Sequence, residues 1–100
     1  MKIITICGSL KYQKEMMEVA ERLGLDGNCV LTPVYPVSNN LNLSNKQLEY
    51  LKEAHLKRIE MSDAIFVLNI NNYIGESTKL EIEYAKKLGK EIIYYLDLIK

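Results

Sequence analysis

A glutamate on the apolar side of a predicted helix is the residue of this sequence best placed for chemistry. Glu81 lies in the 78–88 segment, where lysines and Glu83 occupy one side of a helical wheel and aliphatic and tyrosine side chains occupy the other. Burial of a carboxylate raises its pKa toward the range that is useful in catalysis. A structural role is the alternative, because Thr78 and Glu81 have the spacing of a capping box.

Two further features could do chemistry. His55, the only histidine, lies on the apolar stripe of another predicted helix, where a histidine is more often a core residue than a catalyst. The pair Gly8-Ser9 joins a predicted strand to a helix, and backbone amides at such a junction bind anions such as phosphate. A tight turn with Ser9 as N-cap explains the pair equally well. Lys11 could add charge to a bound phosphate, although lysines are usually solvated.

Polar side chains follow the most apolar run of the chain, at 64–68. Asn69, two further asparagines and a tyrosine offer groups that could hydrogen-bond a sugar or a base. Turn-forming asparagines explain the same composition nearly as well. Asp63 precedes the run, so we expect it at the opposite end of the strand, in a turn or a helix-end contact.

The elements that must position these residues alternate along the chain. Apolar periodicity and turn residues predict strands at 2–7, 28–31, 64–68 and 91–96 and helices at 11–23, from Ser44 onward and at 78–88. This order predicts a parallel sheet with right-handed crossovers and helices on both faces. We therefore expect one domain over 1–100, an α/β three-layer Rossmann-like or flavodoxin-like fold whose parallel four-stranded sheet has the order 2-1-3-4.

The sheet order predicts where a ligand would bind. Ligands of such folds lie beyond the carboxyl ends of the strands, where the order switches between the first and third strands. The site is therefore expected among residues 8–12, 32–43 and 69–81. The loop at 32–43 contains both prolines, and a loop of that length in a small domain is more often functional than idle.

Composition excludes several classes of function. Thirteen basic residues balance thirteen acidic ones, so no polynucleotide partner is expected. No apolar run reaches the roughly 20 residues of a membrane span, and the apolar start is too short for a secretory signal; we expect a cytoplasmic protein. Cys7 and Cys29 fall in predicted strands without metal-ligand spacing. They are expected to be free buried thiols, with no metal.

Three segments together resemble the nucleoside 2-deoxyribosyltransferase family and its relatives that hydrolyse deoxynucleoside 5′-monophosphates. They are Ile-Cys-Gly-Ser at 6–9, the histidine, aspartate and strand at 55–69, and Gly-Glu-Ser-Thr-Lys-Leu-Glu-Ile-Glu-Tyr-Ala at 75–85. The family's glutamate nucleophile maps onto Glu81. The resemblance implies that Glu81 attacks the anomeric carbon, that the base departs, and that water or a second base resolves the glycosyl-enzyme with retention.

The resemblance also implies a binding site for the substrate. Gly8, Ser9 and Lys11 would contact a 5′-phosphate, with Gly75 and Ser77 as further candidates. No metal or organic cofactor is implied. The expected ligand is a nucleoside or nucleotide, and the family together with the small core indicates a homodimer.

Three positions depart from the family's pattern. His55 stands where an aspartate is usual, Thr5 where a tyrosine supports the nucleophile, and Gly75 where an acidic residue is frequent. His55 could still donate a proton to the leaving base. We expect an enzyme that cleaves or transfers an N-glycosidic bond; the alternatives are an inactive nucleotide-binding module of the same fold and a structural domain. Nucleotide phosphoribohydrolases of the lysine-decarboxylase-like family rank lower, because their Pro-Gly-Gly is absent.

Overall fold

The computed structural model describes residues 1–38 and 42–98. The predicted loop at 32–43 links the second strand to the second helix, and its residues 39–41 lie outside the described residues. The elements are β1 (Ile3–Cys7), a 3-10 turn (Leu10–Tyr12), α1 (Gln13–Leu25), β2 (Cys29–Leu31), α2 (Asn45–Met61), β3 (Ala64–Val67), a second 3-10 turn (Ile70–Asn72), α3 (Glu76–Lys87), β4 (Glu91–Tyr94) and α4 (Tyr95–Leu98).

The four strands form one parallel sheet in the order β2-β1-β3-β4, as predicted. β1 and β3 are the two central strands, and all four residues of β3 are buried. A strand covered by helices on both faces carries apolar side chains throughout rather than alternating with polar ones. The sheet therefore has its order switch between β1 and β3, where the site is expected.

Successive side chains of a strand point to opposite faces of the sheet, so the core has two layers. On one face, Ile4, Ile6 and Phe66 pack against Met16 of α1. On the other face, α2 and α3 cover the sheet; the buried side chains there are Cys7, Ile59, Ile65, Val67, Ile82 and Ala85. The thiol of β1 thus faces the two helices that carry the predicted catalytic residues.

Sequence signals for two helix ends can be compared with the structure. Ser44 and Gln47 form the predicted capping box of α2, with both hydrogen bonds present. The predicted stop of α1 at Gly24 is wrong: the helix continues to Leu25, and the chain turns at Gly27, whose φ of 97° favours glycine.

The two cysteines lie in different environments. Cys7 is buried as predicted, whereas the prediction that Cys29 is buried is wrong, because β2 is an edge strand and this residue is exposed. In the described part of the chain, no helix has the length and apolar character needed to cross a membrane.

Candidate active site

A cleft of about 670 Å³ opens at the carboxyl ends of the strands. Its walls come from the turn after β1, the segment after β2, one side of α2, and the segment that leads from β3 into α3. The residues that line it are Gly8, Ser9, Leu10, Pro33, Val34, Leu48, Leu51, Lys52, His55, Leu56, Arg58, Tyr73, Gly75, Glu76, Ser77, Thr78, Leu80 and Glu81.

Glu81 points into this cleft from the second turn of α3. The capping-box alternative is wrong, because α3 starts at Glu76 with Gly75 as its N-cap, and Thr78 lies inside the helix. The side chain of Glu81 is 18% exposed. Burial raises its pKa from the ordinary value of 4.5 to about 7. Near neutral pH the carboxyl group is therefore present in both protonation states: the ionised form suits a nucleophile, and an acid–base group uses both forms.

Cys7 and His55 surround the carboxylate. His55 Nε2 lies 3.6 Å from Glu81 Oε1 and 3.5 Å from Cys7 Sγ. Burial is the main cause that raises the pKa of the thiol, and the neighbouring Glu81 raises it further. Cys7 therefore remains a protonated thiol and can donate a hydrogen bond to the carboxylate, which lowers the pKa of Glu81 against the effect of burial.

Burial keeps the His55 imidazole neutral, and Arg58 determines which ring nitrogen carries the proton. Arg58 Nη1 lies 3.2 Å from His55 Nδ1. Burial, and secondarily the charge of Arg58, lower the pKa of His55 from 6.5 to about 4, so the ring is neutral near pH 7. Because a guanidinium has donors only, Nδ1 must be the bare nitrogen and Nε2 must carry the proton.

The three side chains also have the spacing of a metal site. One donor atom from each of Cys7, His55 and Glu81 lies within 4.8 Å of the others, and zinc bonds of about 2.0–2.3 Å place tetrahedral ligands at similar separations. A metal-binding histidine, however, normally donates its second ring N–H to an acceptor. Arg58 occupies that position here, so the ring presents N–H rather than a lone pair to Cys7 and Glu81. This arrangement opposes a metal ion at Nε2.

Gly8 and Ser9 form the wall beside β1. A Cβ on Gly8 would lie 3.2 Å from Leu68 Cβ, which explains why a glycine is placed there. Ser9 caps the 3-10 turn, and its Oγ accepts a hydrogen bond from the Lys11 amide at 3.3 Å. Both residues line the cleft, and their binding of a phosphate stays a prediction.

Gly75 and Ser77 form the opposite wall at the N-terminus of α3. A Cβ on Gly75 would lie 3.3 Å from the Tyr73 hydroxyl, so glycine lets the loop pass close to that ring. A helix N-terminus carries positive partial charge and suits an anionic ligand.

Lys11 and Asn69 do not line the cleft. Lys11 Nζ lies 3.5 Å from the centroid of the Tyr73 ring, where a cation is attracted by the ring's negative face. Asn69 Oδ1 accepts a hydrogen bond from the Leu96 amide at 3.1 Å and so anchors the segment after β4. Their roles toward a ligand stay predictions.

Asp63 and Thr5 have structural contacts. Asp63 Oδ2 accepts a hydrogen bond from the Ile3 amide at 2.8 Å, at the end of the sheet remote from the cleft. The Thr5 hydroxyl is buried and contacts Ser62 Oγ at 2.6 Å and the Arg58 carbonyl oxygen at 3.1 Å. Thr5 therefore ties α2 to β1.

Sequence reasoning missed Cys7 and Arg58 as members of the site. The spacing of His55 and Arg58 on one helix, three residues apart, was the available signal for the arginine. The position of Cys7 directly before the Gly8 turn was the signal for the thiol.

Replacing Glu81 with glutamine is expected to stabilise the protein at pH 8 but not at pH 4.5. The folded chain keeps a proton on Glu81 up to about pH 7, whereas the unfolded chain loses it near 4.5. Wild-type stability therefore loses a contribution on the order of 3 kcal/mol as the pH rises through this window. Glutamine does not titrate and removes that loss. Urea unfolding of both proteins at the two pH values measures the difference.

Glu83→Gln is the matched control, because Glu83 is an exposed carboxylate on the same helix. Its stability relative to wild type should be the same at both pH values. A pH-independent difference for Glu81→Gln as well would show that Glu81 titrates like a solvated carboxylate.

Comparison with known proteins gives a family and a fold. Residues 4–94 match the family described as a domain of unknown function (DUF4406). No curated protein matches the sequence. Among solved structures, the chain is similar to a "2-desoxiribosyltransferase from Leishmania mexicana", with a TM-score of 0.70 and 18% identity over 95% of this chain and 64% of that one.

A second similar structure is a "conserved protein from Enterococcus faecalis V583", with a TM-score of 0.66 and 17% identity over 94% of this chain and 62% of that one. The chain thus spans slightly less than two thirds of the length of either structure. At this identity the likeness establishes the fold. The chain belongs to the DUF4406 family and has the α/β fold of the deoxyribosyltransferase structure that it resembles.

Proposed function

We propose that this protein breaks the N-glycosidic bond of a nucleoside or a nucleoside 5′-monophosphate, with Glu81 as the nucleophile. The observation that carries the proposal is the position of this carboxylate, which lines the cleft at the carboxyl ends of the strands with its pKa raised to about 7. Perturbed carboxylates in clefts are typical of catalytic sites. The similarity in fold to a protein named as a deoxyribosyltransferase adds support.

In the proposed reaction, an oxygen of Glu81 attacks the anomeric carbon. The bond from that carbon to the base nitrogen breaks, its electron pair goes to the base, and the base takes a proton from water. Water or a nitrogen of a second base then displaces the glutamate oxygen and loses a proton, which restores the carboxylate. Two displacements at the same carbon retain its configuration.

His55 is proposed to orient Glu81 rather than to protonate the base. Its pKa of about 4 leaves no imidazolium to act as an acid near pH 7. The Nε2 proton lies between Cys7 Sγ and Glu81 Oε1. Such contacts are often long without substrate and shorten in the complex.

A 5′-phosphate is proposed to bind between the two walls of the cleft. Ser9 and Ser77 offer hydroxyl groups from opposite sides, and the N-terminus of α3 faces the same space. Lys52 and Arg58 add positive charge to the lining, and Glu76 and Glu81 add negative charge. Glu81 loses its negative charge when its carboxylate forms the glycosyl ester.

The proposal is tested by incubating the protein with a panel of nucleosides and 5′-monophosphates and analysing the mixture by mass spectrometry. We expect released base, and a protein adduct of sugar mass that peptide mapping locates in the α3 peptide containing Glu81. An adduct on another residue would reject Glu81 as the nucleophile. No released base from any member would reject the enzymatic proposal.

A nucleotide-binding module without catalysis is the second candidate. Thr5 favours this binding module, because its hydroxyl is hydrogen-bonded to Ser62 Oγ and the Arg58 carbonyl oxygen and not to Glu81. Stabilisation of the fold by a nucleotide, with no product after long incubation, would favour this candidate.

A further inference from the structure

We propose that Arg58 sets the direction of a hydrogen-bond chain that runs from Arg58 through His55 and Cys7 to Glu81. Arg58 and Cys7 would then be positioning residues that act on the nucleophile through their neighbours. The catalytic meaning of this chain rests on the proposed function, whereas its geometry can be tested without any activity.

The first link, from Arg58 to His55, determines which nitrogen of the imidazole carries the proton. Arg58 Nη1 lies 3.2 Å from Nδ1 of His55, and a guanidinium donates but never accepts. Nδ1 therefore accepts, and the single proton of the neutral ring is on Nε2. The contact needs no bound ligand, so the ring is set before substrate arrives.

The second and third links pass through the thiol. Nε2 lies 3.5 Å from Cys7 Sγ, and because Nε2 holds the proton, the sulfur accepts at this contact. The thiol hydrogen is then available for Glu81, whose ionised carboxylate has acceptors and no donor. Cys7 Sγ and a carboxylate oxygen of Glu81 lie within 4.8 Å of each other. A hydrogen bond from the thiol at this contact opposes the effect of burial on the Glu81 carboxylate. Arg58 donates to His55, His55 donates to Cys7, and Cys7 donates to Glu81. The donor–acceptor direction that Arg58 imposes therefore extends to the proposed nucleophile.

Packing holds two members of the hydrogen-bond chain, Cys7 and Arg58. Cys7 is fully buried at the end of β1. Thr5 and Ser62 both contact the Arg58 carbonyl oxygen, at 3.1 Å and 2.7 Å, which fastens this turn of α2 to the sheet. The groups that face His55 are Arg58 from its own helix, Cys7 from β1 and Glu81 from α3.

Nitrogen NMR of the single histidine tests the first link. In wild type at pH 7 we expect the proton on Nε2. Arg58→Glu replaces a donor with an acceptor, so the proton is expected to move to Nδ1. Lys57→Glu makes the same change of charge at the neighbouring exposed residue and should leave the proton on Nε2.

Three outcomes would overturn the proposal. They are a proton on Nδ1 in wild type, a proton that stays wholly on Nε2 in Arg58→Glu, and replacement of the Nε2 proton when Zn²⁺ is added. If Arg58→Glu does not fold, Arg58→Met gives the same comparison: we expect a mixture of both tautomers, and an unchanged Nε2 proton would contradict the proposal.

Cys7 variants test the last link. Carbon NMR of the Glu81 carboxyl group should show a pKa about one unit higher in Cys7→Ala, which lacks the donor, and a nearly unchanged pKa in Cys7→Ser, which keeps one. An unchanged or lower pKa in Cys7→Ala would contradict the proposal. If these shifts occur but no substrate is cleaved, the hydrogen-bond chain stands and the proposed function fails.

Discussion

Base release is expected to fall at least about 10³-fold in kcat/KM when Glu81 is replaced by glutamine. The amide keeps the size of the side chain but carries no charge and is a poor nucleophile, so the glycosyl-enzyme cannot form. A mass-spectrometric assay with a substrate that the wild type cleaves measures the loss. The protein adduct of sugar mass should disappear in the same spectra.

Glu83→Gln separates the loss of the nucleophile from damage to the helix. It makes the same substitution two residues further along α3, on an exposed side chain, and should turn over substrate at the wild-type rate. The Glu81→Gln protein should still be stabilised by substrate, since binding does not require the attack. Full turnover by Glu81→Gln would remove Glu81 from the proposed role.

As the pH increases toward 7, kcat/KM for base release should rise about tenfold per pH unit, and above pH 7 it should become constant. Only the ionised form of Glu81 attacks, and its pKa is about 7, so the active fraction grows as the pH increases. At pH 5, kcat/KM should be about 100-fold below the plateau. The His55 pKa of about 4 lies outside this range and adds no second limb.

The substrate for this profile must not titrate in the same range. A neutral nucleoside is therefore preferable to a 5′-monophosphate, whose second pKa is about 6. The profile of kcat/KM then reports the free protein. A rate that falls through pH 7 would assign Glu81 the role of a general acid.

The sheet could be predicted from the sequence because strand and helix patterns alternate along the chain. The apolar run at 64–68 has no polar alternation, which marks a strand covered on both faces, and β3 is buried throughout. Helix ends were harder to predict. Gly24 has the sequence signature of a stop, yet the helical hydrogen bonds continue past it to the turn at Gly27.

Glu81 could be identified from its own helix, but its function could not. The apolar arc of α3 contains buried Ile82 and Ala85, and also Leu80, which lines the cleft and is 55% exposed. A helical wheel does not distinguish a side chain that faces the core from one that faces a cleft. The helix-cap alternative depended on where the helix starts, and Gly75 at the N-cap excludes it.

The partners of Glu81 could not be predicted from local patterns. Alternation in β1 places Cys7 on the same face as Thr5, but nothing in the strand itself indicates which helices cover that face. The contact between Arg58 and His55 further depends on the burial of the ring, which only the packed structure supplies.

The assembly of the site from β1, α2 and α3 has a consequence for folding. Cys7 and His55 are 48 residues apart, and contacts of such separation form late, because the intervening chain must first be brought together. During synthesis, three strands of the sheet are complete at Val67, before Glu81 has joined the chain. A ribosome-bound chain therefore gains the Glu81 carboxylate after three of the four strands, and early intermediates with these strands lack the proposed nucleophile.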